Sequence, residues 1–277
     1  MTTETLSTHR VFGGTLNYVR HASAATGTPM RFSVFVPEGP GLFPALTFLA
    51  GLTCTEENFT TKAGAYRAAA DAGLMIVAPD TSPRGDDVAD DPAYDLGKGA
   101  GFYLDATEAP WAPHFRMESY ITQDLRAAVN AAFPADPTRH GITGHSMGGH
   151  GALTLGMRHP HLFKSISAFS PIVAPTQCPW GEKAFGAYLG PDRTRWTGHD
   201  ASALVAAGKA APFDDILVDQ GLADSFYESQ LKTHLIEDAA AASGARITIR
   251  RHAGYDHSYF FITSFIADHI AFHAARL

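Results

Sequence analysis

Short uninterrupted apolar runs recur along the chain and alternate with segments of helical spacing. Ala45–Ala50, Met75–Ala78, Ser165–Phe169 and Asp215–Val218 read as strands buried on both faces, because apolar residues occupy odd and even positions alike. Between and after them, Tyr66–Ala72, Met117–Ala132, Ser225–Ser243 and Tyr259–Ala275 carry helical patterns, with Gly73 placed to close the first. Val11–Val19 and Met30–Val36 differ. In the second of these Phe32, Val34 and Val36 fall on alternate positions, and both stretches read as opening antiparallel strands. Arg246–Arg251 reads as the last strand. Strand and helix alternate throughout, which predicts an α/β protein with a mostly parallel sheet and helices on both faces. Two stretches, 80–114 and 170–191, break the rhythm. They are rich in glycine and proline and too long for simple connections, and loops of that length are commonly functional. Phe102, Tyr103 and Trp111 in the first and Trp180 in the second give them material for packing around a pocket. No repeat, low-complexity tract or linker divides residues 1–277, so one domain is expected.

One strand-to-helix junction has a chemistry of its own. Gly141–Thr143 leads into Gly144-His-Ser146-Met-Gly148-Gly-His-Gly151, and a helix follows to about Arg158. Gly-x-Ser-x-Gly in this setting is a nucleophile elbow, in which a sharp turn lifts the serine clear of the sheet. Gly144 and Gly148 flank Ser146 where a Cβ would clash with the crowded backbones. With the alternation of strands and helices, the elbow indicates the α/β-hydrolase fold.

Composition narrows the function by exclusion. A net charge of −7, from 21 basic and 28 acidic residues, offers no footprint for nucleic acid and would be repelled by an anionic membrane. Met1–His9 has neither an apolar core nor a cleavage signature, so no signal peptide is expected, and no apolar run reaches the length of a membrane span. Cys54 and Cys178 make no disulfide framework, which suits a reducing cytoplasm. The 14 histidines fall in no metal-binding motif; His159-Pro-His161 reads as a surface turn. No metal and no cofactor are called for.

A serine nucleophile needs a base and an acid, which in this fold follow it in the order acid, then histidine. Asp215–Asp224 supplies the acid from a strand, a turn at Gly221 and a loop. Asp224, beyond the turn, is the preferred residue; Asp219, at the strand end, is its rival, with a structural hydrogen-bonding role as the alternative. His257 follows the last strand on a loop entering the final helix. His252 lies too close to the strand, and His269 and His273, inside the helix, read as surface residues. The backbone N–H groups of Met147 and Leu52 are placed to hold an oxyanion, the latter from the loop Gly51–Phe59. Cys54 in that loop and Trp180 in the second insertion are candidates for the pocket wall.

These blocks resemble the S-formylglutathione hydrolase, or esterase D, family. The resemblance rests on Gly51-Leu-Thr-Cys-Thr-Glu-Glu-Asn-Phe59, Asp80-Thr-Ser-Pro-Arg-Gly85, Gly99-Ala-Gly-Phe-Tyr-Leu-Asp105 and the elbow. It extends through Cys178-Pro-Trp-Gly181, Asp219-Gln-Gly221 with Asp224, and Tyr255-Asp-His-Ser-Tyr-Phe-Phe261. It implies a cytoplasmic thioesterase splitting S-formylglutathione into glutathione and formate, a step of formaldehyde detoxification. It also implies Ser146, Asp224 and His257 as the triad, activity on small acyl esters, and a homodimer. Leu96-Gly-Lys98 and Ile172-Val-Ala174 depart from the family pattern in the insertions, where substrate preference is set. Arg84, Lys98 and Lys183 are the basic residues of the insertions available to hold the anionic glutathione. A general carboxylesterase, an acyltransferase on the same fold, and a non-catalytic binding protein are the alternatives.

Overall fold

The apolar runs become the middle of a sheet. The computed structural model describes residues 2–277, and the strands are β1 Thr3–Val11, β2 Gly14–Ala22, β3 Pro29–Val36, β4 Phe43–Leu49, β5 Met75–Pro79, β6 Ala135–Gly144, β7 Ser165–Phe169, β8 Ile216–Gly221 and β9 Ile247–His252. They form one sheet in the order β1-β2-β3-β5-β4-β6-β7-β8-β9. The first three strands and the β3–β5 pair are antiparallel; every pair from β5 through β4 to β9 is parallel. β4 shows why these runs do not alternate. Ala45 and Leu49 enter the core on one face while Leu46 and Phe48 enter the core on the other.

The helices are α1 Glu56–Lys62, α2 Tyr66–Asp71, α3 Met117–Ser119, α4 Arg126–Ala132, α5 Met147–Arg158, α6 Pro179–Leu189, α7 Ala201–Ala206, α8 His234–Ser243 and α9 Tyr259–Ala274. α1, α2 and α9 cover one face through Phe59, Tyr66, Phe261, Ile262 and Ile266, and Phe59 stacks on Phe48 with ring centroids 3.8 Å apart. The opposite face carries α4 through α8. α5 is buried along nearly its full length, as a helix at the centre of such a sheet must be. No helix among the described residues is long and apolar enough to cross a membrane.

Several expectations need correction. The sheet begins earlier than Val11. Thr3–Val11 is an edge strand whose residues are mostly exposed, so it has no apolar signature; it pairs with β2 through a turn at Phe12 and Gly13, both at positive φ. The loop expected over Gly51–Phe59 ends at Thr55, whose side chain caps α1 while Asn58 returns the bond to the Thr55 N–H. The helix expected over Met117–Ala132 is interrupted by a wide π-helical segment, Tyr120–Leu125. The one expected over Ser225–Ser243 is broken at Lys232, which adopts φ +51° before α8. Much of 170–191 is helical, with Pro179 at the first position of α6. His269 and His273 are not surface residues: both are fully buried. His273 bonds Ser165 and Ser167 of β7 through its two ring nitrogens, and His269 bonds Ser167. Burial drives both imidazoles toward the neutral form, so they act as uncharged links between α9 and the sheet.

Candidate active site

Ser146 sits between β6 and α5 at φ 59°, ψ −119°, a backbone conformation that costs on the order of 1–3 kcal/mol for a non-glycine residue. The fold holds it there from three sides. His145 N–H donates to Leu49 O and Ser146 N–H to Phe169 O, each at 3.0 Å, and Ser146 O accepts from Ile172 N–H at 3.3 Å. A Cβ on Gly148 would overlap the Leu49 carbonyl, so α5 approaches β4 only because this residue is glycine. Gly51, at the end of β4, lies against Ser146 so closely that a Cβ there would come within 3.2 Å of the serine Cβ.

Asp224 follows the turn after β8, and His257 follows β9 on the loop into α9. His257 Nδ1 and Asp224 Oδ2 are 2.5 Å apart. An ionised carboxylate only accepts, so Nδ1 carries the proton and Nε2 is left as the acceptor for a substrate-side proton. Phe226 N–H donates to the other carboxylate oxygen at 2.9 Å, which fixes the plane of Asp224. Ser146 and His257 line the same cavity, of about 340 Å3.

Asp219 is held elsewhere. It is fully buried, accepts two bonds of 2.6 Å from Arg250, and has His269 Nε2 at 3.3 Å and His252 Nε2 at 3.4 Å. Burial pushes its carboxyl up, but the close His269 ring and the two Arg250 bonds outweigh burial and hold it at about 2. Its capacity is spent on β9 and α9.

The N–H groups of Leu52 and Met147 are taken by no backbone acceptor among the described residues, the first because it turns off β4 and the second because it opens α5. The long first insertion braces this corner. Thr53, at φ +67°, donates its N–H to Gly99 O at 2.9 Å, and the buried Tyr103 hydroxyl donates to Ala50 O at 2.8 Å. Two preorganised donors at the mouth of an elbow suit a developing oxyanion.

Cys54 and Trp180 both line the cavity. Burial pushes the Cys54 thiol up, so it is no ready thiolate. Trp180 Nε1–H donates to the Tyr94 hydroxyl at 3.0 Å, its ring lies 4.7 Å from Phe226, and Phe226 lies 5.0 Å from His257. Each insertion thus supplies one aromatic to the wall. His145 packs beside His257 with ring centroids 4.4 Å apart; complete burial, with the neighbouring His257 as second cause, drives its pKa far down. The base therefore has a neutral neighbour.

The basic residues of the insertions do not reach the cavity. Arg84 is bound to Asp80, Lys98 lies 3.7 Å from Asp90, and Lys183 lies 2.5 Å from Asp95. The cation that does line it is Lys62, at the end of α1, with Asn58, Tyr94, Phe226 and Tyr259 as further lining residues that sequence reasoning did not single out. The only advance signal for the α1 pair was the Thr55-x-x-Asn58 spacing, which announces a helix start beside the oxyanion loop.

A family model described as "Putative esterase" matches residues 23–272. The chain is 52% identical over 276 residues to an S-formylglutathione hydrolase of Paracoccus denitrificans, covering 99% of this chain and 98% of that protein. A solved S-formylglutathione hydrolase from Agrobacterium tumefaciens superposes with a TM-score of 0.96 at 47% identity, over 99% of each chain. A solved Staphylococcus aureus S-formylglutathione hydrolase has 18% identity and a TM-score of 0.71, over 93% of this chain and 97% of that one, a likeness of fold alone.

Proposed function

The chain belongs to the esterase family, within the α/β-hydrolase fold, and from that premise we propose that it is a serine thioesterase hydrolysing S-formylglutathione to glutathione and formate. The observation that carries the reading is the His257–Asp224 bond set in the same cavity as a strained, glycine-flanked Ser146. Ser146 Oγ attacks the formyl carbon while His257 Nε2 takes its proton, and the carbonyl oxygen, now negative, is met by the Leu52 and Met147 N–H groups. The tetrahedral species collapses, the C–S bond breaks, and His257 returns the proton to the departing sulfur. Water then attacks the formyl-serine with His257 again as base, and formate leaves as Ser146 regains its proton. Asp224 keeps Nδ1 protonated throughout and stabilises the imidazolium.

A formyl group has no side chain, so the acyl end needs little room, and the close approach of Gly51 to Ser146 supports a small acyl group. We place the enzyme in the cytoplasm, acting on a small-molecule substrate as a homodimer of single-domain subunits. The reading is tested by comparing kcat/KM for S-formylglutathione with that for a simple acetate ester. A preference for the formyl thioester is expected, and turnover of the acetate alone would overturn it. Added methanol tests the acyltransferase alternative: the expected product is formate, and predominant methyl formate would favour transfer.

A further inference from the structure

The mechanism accounts for the acyl side of the cavity but leaves unassigned the side through which a large thiol must leave. α1 and α9 meet there. The Thr263 hydroxyl donates to Lys62 O at 2.8 Å, tying the end of α1 to α9, and the Lys62 ammonium stands 5.9 Å from the centre of the Tyr259 ring. Lys62 and Tyr259 line both the Ser146 cavity and a second, more apolar concavity of about 690 Å3 that also includes Ser258, Phe260 and Thr263. The two hollows share the Lys62–Tyr259 wall, and across it they are read as one groove leading away from the serine. Phe260, 83% exposed, gives that outer part an apolar surface.

Charge gives the groove a direction. Histidines aside, Lys62 is the one lysine, arginine, aspartate or glutamate that lines either hollow. In a chain of net charge −7 it has no carboxylate within 4.0 Å among the described residues, whereas Lys98 and Lys183 each have one. The Tyr259 hydroxyl is buried and faces the Cys54 thiol. An ammonium without a carboxylate partner on an otherwise uncharged, aromatic wall matches a ligand that brings a carboxylate.

Building on the S-formylglutathione reading above, we propose that this groove is the leaving-thiol subsite and that Lys62 selects thioesters whose thiol carries a carboxylate. The leaving group lies over Tyr259 with its apolar stem toward Phe260, and its carboxylate pairs with the Lys62 ammonium. Lys62 touches no reacting atom, so its contribution falls in binding rather than in the chemical step.

The test compares S-formylglutathione with the same thioester methylated at both carboxylates, in wild type, Lys62→Met and Lys62→Arg. Methionine keeps an apolar stem over Tyr259 and removes only the charge. The readout is the ratio of kcat/KM for the charged over the methylated substrate. In wild type the charged substrate is favoured roughly fivefold at low salt, the scale of one solvent-facing ion pair, and the advantage shrinks as ionic strength rises. Lys62→Met brings the ratio to about one through KM, and Lys62→Arg preserves it. A ratio unchanged in Lys62→Met, or lost through kcat alone, overturns the proposal. A wild type that cleaves p-nitrophenyl acetate but not S-formylglutathione instead overturns the functional reading beneath it.

Discussion

Replacing each of two neighbouring aspartates by asparagine separates catalysis from stability. In Asp224→Asn the Phe226 N–H keeps its acceptor, so folding is expected to be little changed. The His257 Nδ1–H, however, faces an amide instead of a carboxylate. The tautomer with Nε2 protonated becomes competitive, and an imidazolium formed beside Ser146 loses its counter-charge. By analogy with serine proteases the cost is about 10,000-fold in kcat, or roughly 5.5 kcal/mol. Asp219→Asn inverts the pattern. It removes a buried anion that accepts two 2.6 Å bonds from Arg250. Arg250 keeps Asp268 at 2.8 Å and is partly exposed, which limits the damage. A loss of about 2–3 kcal/mol is expected, less than for breaking a fully buried pair, lowering Tm by roughly 5–10 °C. Thermal unfolding followed by circular dichroism and turnover per folded molecule on S-formylglutathione measure the two axes. A larger fall in turnover at Asp219 than at Asp224, with both proteins folded, would refute the assignment.

Three further outcomes follow from particular contacts. Because Asp219 is held at about 2, below the ordinary carboxylate value of 3.8, its contribution to stability is fully present above about pH 4 and disappears as pH falls through 2; it amounts to roughly 2 kcal/mol, and acid titration of Asp219→Asn should lack that component. Gly148→Ala should yield little soluble protein, or one markedly destabilised, since its Cβ would occupy the place of the Leu49 carbonyl; a normal Tm would show that α5 can retreat from β4. N-ethylmaleimide should inactivate wild type and Cys178→Ser slowly and spare Cys54→Ser, because Cys54 lines the cavity with a thiol raised by burial while Cys178 is buried and pushed up to about 11. Equal inactivation of Cys54→Ser and wild type would make Cys54 packing only.

What was legible in the sequence was what local pattern encodes. β4, β5, β7 and β8 carry their burial as apolar runs, and the elbow after β6 carries its own turn, so the sheet centre and Ser146 could be placed from pattern alone. β1 was not legible, because an edge strand with wet faces has the composition of a tail. His269 and His273 look like the polar stripe of a surface helix; only their partners Ser165 and Ser167, across the sheet in β7, make them interior. The groove was hidden for the same reason. Tyr94, Phe226 and Lys62 come from three distant segments, and which lysine remains unpaired depends on where Asp90 and Asp95 fall in space.

The central claim is that formyl transfer from glutathione passes through Ser146, and one comparison tests it most directly. Wild type and Ser146→Ala are assayed for hydrolysis of S-formylglutathione at equal concentration, with thermal unfolding measured on both. Ser146 is only 3% exposed, but its hydroxyl donates to no group among the described residues, so the alanine variant should fold as wild type does. Its turnover should fall about a million-fold, the loss seen when a serine hydrolase forfeits its nucleophile. A folded Ser146→Ala that hydrolyses S-formylglutathione within tenfold of the wild-type rate, on the order of 1.4 kcal/mol of barrier, would contradict the account.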